Sequence, residues 1–175
     1  MRPSKSNVYL IGPMGVGKTT VGSKLAQLIG FEFLDTDHEL EQRTGVTVAH
    51  IFELEGEDGF RSRETRLLEE IAKCNDCVVA TGGGAVLYDS NRKTIRESGK
   101  VMYLTASLEF LWDRVRQSTH RPLLHTEDPY STLKEIHRQR DPIYRGVADH
   151  VIEISPTSEK TASRIAEWLN TQDCQ

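Results

Sequence analysis

Gly12-Pro-Met-Gly-Val-Gly17-Lys18-Thr19 fits the pattern G-x-x-x-x-G-K-[S/T] at every fixed position, and that pattern makes demands on both of its flanks. A strand must deliver the chain to the loop and a helix must leave it. The loop works by turning successive backbone N–H groups, together with the positive end of the helix dipole, toward an anion. Both flanks comply: Val8-Tyr9-Leu10-Ile11 is a short apolar run of strand formers, and Val21, Leu25, Leu28 and Ile29 recur at helical spacing until Gly30 ends the run. Such a unit commits the chain to an α/β architecture and to binding phosphate.

The rest of the sequence repeats the alternation. Strands are expected over Phe31–Asp35, Cys77–Thr81, Lys100–Leu104 and His150–Ile154. Helices are expected over His38–Thr44, around Val48–Leu54, after Gly56 through Ile71, and over Asn91–Glu97, Leu108–Arg116, Ser131–Tyr144 and Lys160–Leu169. Gln117 to Pro129 reads as a polar loop. Five short apolar strands separated by helices imply a parallel sheet covered on both faces, because parallel strands need crossover connections. With 175 residues, one domain spanning 1–175 is expected. Trp112 and Trp168 fall at helical spacing with apolar neighbours and read as core or core-edge residues.

Composition narrows the partners. Lys and Arg total 22 against 26 for Asp and Glu, so the chain offers no global field for nucleic acid. No apolar run approaches the roughly 20 residues needed to span a bilayer, and the apolar stretch after Arg2 and Lys5 is too short for a secretory signal; a cytoplasmic protein is expected. Cys74-Asn-Asp-Cys77 has C-x-x-C spacing, but it bridges a helix end and a strand instead of opening a helix, and reads as two ordinary thiols.

The phosphate loop does not say what receives the phosphate. In an open parallel sheet, ligands bind beyond the carboxyl ends of the strands, and three features fall there. Asp35-Thr-Asp37 follows the second strand; two carboxylates two apart in an extended segment face one side and suit metal and proton work, the alternative being that Asp37 caps the next helix. Thr81-Gly82-Gly83-Gly84 follows the third strand, where close backbone approach to a ligand competes with a plain flexible turn. Arg61, Arg121 and Arg140 supply cationic forks, whereas Arg63, Arg66, Arg92, Arg96, Arg114, Arg138 and Arg145 read as solvated helix faces.

The phosphate loop taken with Asp35-Thr-Asp37, Gly59-Phe60-Arg61, Thr81-Gly-Gly-Gly84, Arg121-Pro-Leu-Leu124 and Arg140-Asp-Pro-Ile-Tyr144 resembles shikimate kinase over nearly the whole chain. The resemblance implies a P-loop nucleoside monophosphate kinase-like fold, with a five-stranded parallel sheet of order 2-3-1-4-5, a lid and a substrate-binding region. It implies transfer of the ATP γ-phosphoryl group to the 3-hydroxyl of shikimate, with Mg2+, by a monomer. Gly15, Val16, Gly17, Lys18, Thr19, Thr20 and Arg121 would then bind the nucleotide, and Lys18 and Arg121 would serve the transfer. Asp37 would bind shikimate and act as base. Arg61 and Arg140 would hold its carboxylate, and Gly82, Gly83 and Gly84 would line its pocket. Thr19 would meet the metal directly and Asp35 through water. The stretch between Arg116 and Arg121 is short for the family, which leaves a base contact by Arg116 open.

Overall fold

The computed structural model describes residues 7–117 and 122–172. Five strands, β1 (Asn7–Ile11), β2 (Glu32–Asp35), β3 (Cys77–Ala80), β4 (Gly99–Thr105) and β5 (His150–Glu153), form one sheet in the order β2-β3-β1-β4-β5. Every pairing is parallel, with Leu10 opposite Ala80 on one side and Met102 on the other. The helices are α1 (Lys18–Ile29), α2 (Thr36–Thr44), α3 (Val48–Ile71), α4 (Asp89–Ser98), α5 (Leu108–Val115), α6 (Pro129–Val147) and α7 (Ser158–Gln172). Short 3₁₀ turns lie at Ala85–Leu87 and Pro122–Leu124.

Two-residue alternation divides the sheet between two cores. Val8, Leu10, Val78, Met102, Leu104 and Ile152 face a layer drawn from α1, α5 and α7. Tyr9, Ile11, Val79, Val101 and Tyr103 face the other way, onto α3, α4 and the end of α6. Trp112 and Trp168 are partly buried against the first layer, as expected at a core edge.

The differences from the sequence reading are local. β2 stops at Asp35, which becomes the N-cap of α2: its Oδ1 accepts from the N–H groups of Asp37 (3.0 Å) and His38 (3.2 Å). The extended pair of carboxylates is therefore replaced by one cap and one residue in the first helical turn, and Asp37 is not the cap. α3 carries two helical pieces joined at Gly56, whose φ of 69° interrupts the helix where the sequence shows a break. β3 ends at Ala80, one residue earlier than expected, and Thr81 turns both its N–H and its hydroxyl to the Leu10 carbonyl. Asn7 ties the C-x-x-C turn down: its amide donates to the carbonyls of Ile71 and Cys74 and accepts from the Cys77 N–H. Cys77 is buried, and burial pushes its thiol up to about 11, which keeps it protonated.

Candidate active site

The phosphate loop joins β1 to α1. Gly12 has φ 146°, and a Cβ there would strike the Leu104 carbonyl, so only glycine permits the approach. α1 opens with Gly17 in a left-handed conformation, no side-chain cap and no acidic residue in its first turn. The start of α1 thus turns the positive end of its dipole toward an anion in the loop. Lys18 Nζ folds back onto the loop and donates to the carbonyls of Gly12 (2.7 Å) and Pro13 (2.9 Å). Val16 is buried in the first core, so only its backbone faces the loop's interior, while Thr19 and Thr20 are exposed.

Thr19 donates its hydroxyl to Asp35 Oδ2 at 2.6 Å. Asp35 thus uses one oxygen to cap α2 and the other to meet α1. This pair of hard oxygen donors suits Mg2+, which keeps several waters and takes phosphate oxygens from its substrate instead of needing a protein cage. Among the described residues no cluster of three or more His, Cys, Asp or Glu could hold a metal.

Beside the loop lies a second cleft, lined by Met14, Asp37, Phe52, Arg61, Gly82, Gly83, Gly84, Leu123 and Arg140 among others. The three glycines explain themselves here. A Cβ on Gly82 would stand 2.7 Å from Glu64 Oε1 and 3.3 Å from Asp37 Oδ1, and one on Gly84 would stand 2.6 Å from Arg61 Cζ. A Cβ on Gly83 would stand 3.6 Å from both Arg140 Nη1 and the Met14 backbone nitrogen. The backbone of this turn is packed between two arginines, two carboxylates and the phosphate loop. Plain flexibility is not its purpose.

Arg61 is only 5% exposed and Arg140 9%. Arg61 lies inside α3, where its Nη1 donates to Glu64 Oε2 at 2.8 Å and its Nη2 reaches Glu57 Oε1 at 3.4 Å. Its Nε, though buried, has no hydrogen-bond partner among the described residues. Arg61 lines the cleft, and a guanidinium fork recognises a carboxylate through two parallel bonds. Burial disfavours the Arg61 charge, but Glu64 and Glu57 outweigh it and keep the guanidinium ionised. Glu64 is fully buried; burial raises its pKa, Arg61 opposes that, and the neighbouring Asp37 adds to it.

Two residues here escape the sequence reading. Glu64 is not singled out there, its i, i+3 spacing from Arg61 being that of an ordinary surface pair. Arg114, grouped with the solvated arginines, stands beside the phosphate loop: its Nη2 is 4.0 Å from a Cβ built on Gly17 and its guanidinium lies 5.4 Å from the Phe110 ring. It lines a groove with Gly17, Thr20, Phe110 and the turn at Ser155–Thr157. Arg116 pairs with Asp113 at 3.5 Å and is not among the residues that line this groove. The 4-residue gap at 118–121 places Arg121 outside the described residues.

A parallel sheet of this order, a phosphate loop leaving its central strand and an acceptor cleft alongside define a P-loop kinase of small molecules. The shikimate kinase family model matches residues 14–170, and the chain belongs to that family. It is 49% identical over 163 residues to the shikimate kinase of Acinetobacter baylyi, covering 93% of this chain and 89% of that protein. Shikimate kinase from Acinetobacter baumannii, solved in complex with shikimate, superimposes with a TM-score of 0.94 at 43% identity, covering 98% of this chain and 97% of that one. A gluconokinase from Sinorhizobium meliloti shares the fold alone, with a TM-score of 0.58 at 20% identity.

Proposed function

We propose that this chain transfers the γ-phosphoryl group of ATP to the 3-hydroxyl of shikimate, giving shikimate 3-phosphate and ADP on the way to the aromatic amino acids. The observation that carries the reading is the convergence of Arg61, Arg140 and Asp37 on the glycine turn, within reach of the phosphate loop. Shikimate is a monoanion rich in hydroxyls. Two buried guanidinium groups, a carboxylate and backbone N–H groups suit it.

The parts divide the work as follows. Arg61 and Arg140 hold the carboxylate and fix the ring. Gly82, Gly83 and Gly84 line the acceptor side; the Gly82 N–H is given to the Thr36 hydroxyl at 3.1 Å, so the amides offered there are those of Gly83 and Gly84. Asp37 binds the hydroxyls and takes the proton from the attacking oxygen as that oxygen bonds to the γ-phosphorus; the bond to the β–γ bridging oxygen breaks and its electron pair leaves with ADP. The N–H groups of Gly15, Val16, Gly17 and Thr20 cradle the phosphates, and Lys18 exchanges its carbonyl partners for the outer phosphate oxygens. Arg114 stands where its planar guanidinium can stack on the nucleotide base. Arg121 closes from the lid onto the transferring group. Thr19 would hold Mg2+ directly and Asp35 through water; the ion supplies charge neutralisation for the phosphates. One catalytic domain over residues 1–175, working as a cytoplasmic monomer on small molecules, is supported by the family resemblance. No described helix is long and apolar enough to cross a membrane.

The rival readings are a kinase for a different small acceptor and a nucleotide-binding regulator without chemistry. ADP release measured with shikimate, gluconate and nucleoside monophosphates separates them. Shikimate alone should support turnover, and Asp37→Asn should lower kcat by at least a hundred-fold while ATP binding stays within two-fold. Turnover driven by another acceptor, or none with any, would overturn the proposal.

A further inference from the structure

Tyr144 is 1% exposed and sits at the point where the acceptor cleft meets the second core. Its hydroxyl donates to the Gly83 carbonyl, and Arg140, one helical turn earlier on α6, lines the same small cavity as Tyr144 and brings its guanidinium to the glycine turn. Burial pushes the phenol up to about 12 although Arg140 opposes it. The group is therefore a proton donor throughout the working range. The ring is held independently of the hydroxyl, tilted against Tyr103 at 5.0 Å between centroids, and Tyr103 sends its own hydroxyl elsewhere, to Asp141 at 2.7 Å.

Resting on the reading above, we infer that Tyr144 is a positioning residue for acceptor binding. Its hydroxyl holds the Gly83 carbonyl beside Arg140, so that the glycine turn and one carboxylate-holding arginine keep a fixed spacing. A peptide whose carbonyl is held from the core side cannot rotate. Its neighbouring N–H groups then stay turned toward the cleft, and the arginine stays at one height above them. Such an arrangement lowers the ordering cost of binding without touching the reacting atoms. The effect belongs in acceptor affinity and not in the chemical step.

Tyr144→Phe removes the oxygen and keeps the ring. Relative to the unsubstituted enzyme, shikimate KM and Kd should rise about ten-fold, with kcat and ATP KM within two-fold. Tyr103→Phe should leave shikimate KM within two-fold. In an Arg140→Lys background the Tyr144→Phe change should cost less than three-fold, because the partner is already displaced. An unchanged shikimate KM, equal losses in kcat and ATP KM, or multiplying penalties would each overturn the inference. The unsubstituted enzyme provides a second readout: the Tyr144 hydroxyl proton should exchange slowly by NMR and show a contact to the Gly84 amide, and rapid exchange would also overturn it. Failure of the unsubstituted enzyme to phosphorylate shikimate would instead defeat the functional reading beneath.

Discussion

Arg61 shows how much one side chain can be asked to do. It forms a buried pair with Glu64 through Nη1 while lining the acceptor cleft. Arg61→Lys retains charge but removes the fork, so it cannot serve Glu64 and two parallel substrate bonds together. The catalytic efficiency with shikimate should fall roughly 10- to 100-fold, about 1.4 to 2.8 kcal/mol, with ATP affinity unchanged. A shikimate analogue lacking the carboxylate should suffer a similar loss in the unsubstituted enzyme and little more in the variant, since both changes delete the same contact. Penalties that simply multiply would place Arg61 away from the carboxylate, and weakened ATP binding would move it to the nucleotide side. Glu64 was not legible from sequence for a physical reason: at i, i+3 from Arg61 it has the spacing of a weak surface pair, and only the packing of α3 against the glycine turn takes it out of water. Arg114 was hidden the same way, because its helix periodicity does not reveal that α5 ends beside the phosphate loop.

At the scale of elements, the turn after β3 behaves as packing material whose thickness is one backbone. Gly84→Ala would set a methyl 2.6 Å from Arg61 Cζ, and overpacking of this kind costs roughly 1 to 3 kcal/mol. Thermal unfolding should shift down by several degrees, and shikimate KM should rise about ten-fold as Arg61 is pushed from its seat, with ATP KM nearly constant. Gly30→Ala is the contrasting case: φ is 73° but nothing lies within 4 Å of the added methyl, so it should cost about 1 kcal/mol of stability and leave both KM values alone. Equal kinetic effects from the two would show that the loss is general destabilisation. Legibility differed by element as well. The loop between β1 and α1 could be read because its requirements are local: glycines at fixed offsets, a lysine, a hydroxyl. The start of α2 could not, since Asp35 and Asp37 are equally good cap residues by type, and the choice fell to Asp35 once its other oxygen met Thr19 from a different helix.

Over the whole molecule, stability carries a pH signature from the far edge of the sheet, where the His150 ring stacks on Trp168 at 4.9 Å with 13° between planes. Burial and then Arg164 lower the His150 pKa below its ordinary 6.5, so the folded state prefers the neutral imidazole. Its contribution is therefore present above pH 6.5 and is lost as pH falls through the depressed value. Urea midpoints should decline over that interval and His150→Gln should flatten the decline, while Trp168 emission, read in a Trp112→Phe background, should be quenched with a midpoint below 6.5. A midpoint above 6.5 would reverse the sign. The division of the sheet between two cores has a consequence for how the ligands speak to each other. The nucleotide side is built on α1 and α5 over one core, and the acceptor side on α3 and the end of α6 over the other. Met14 belongs to both: it packs in the first core, lines the acceptor cleft, and brings its backbone nitrogen to the glycine turn. Whatever factor the nucleotide imposes on acceptor affinity must be returned unchanged by the acceptor on the nucleotide, and Met14 and Leu123, which touch both the first core and the acceptor cleft, stand where such an exchange would pass.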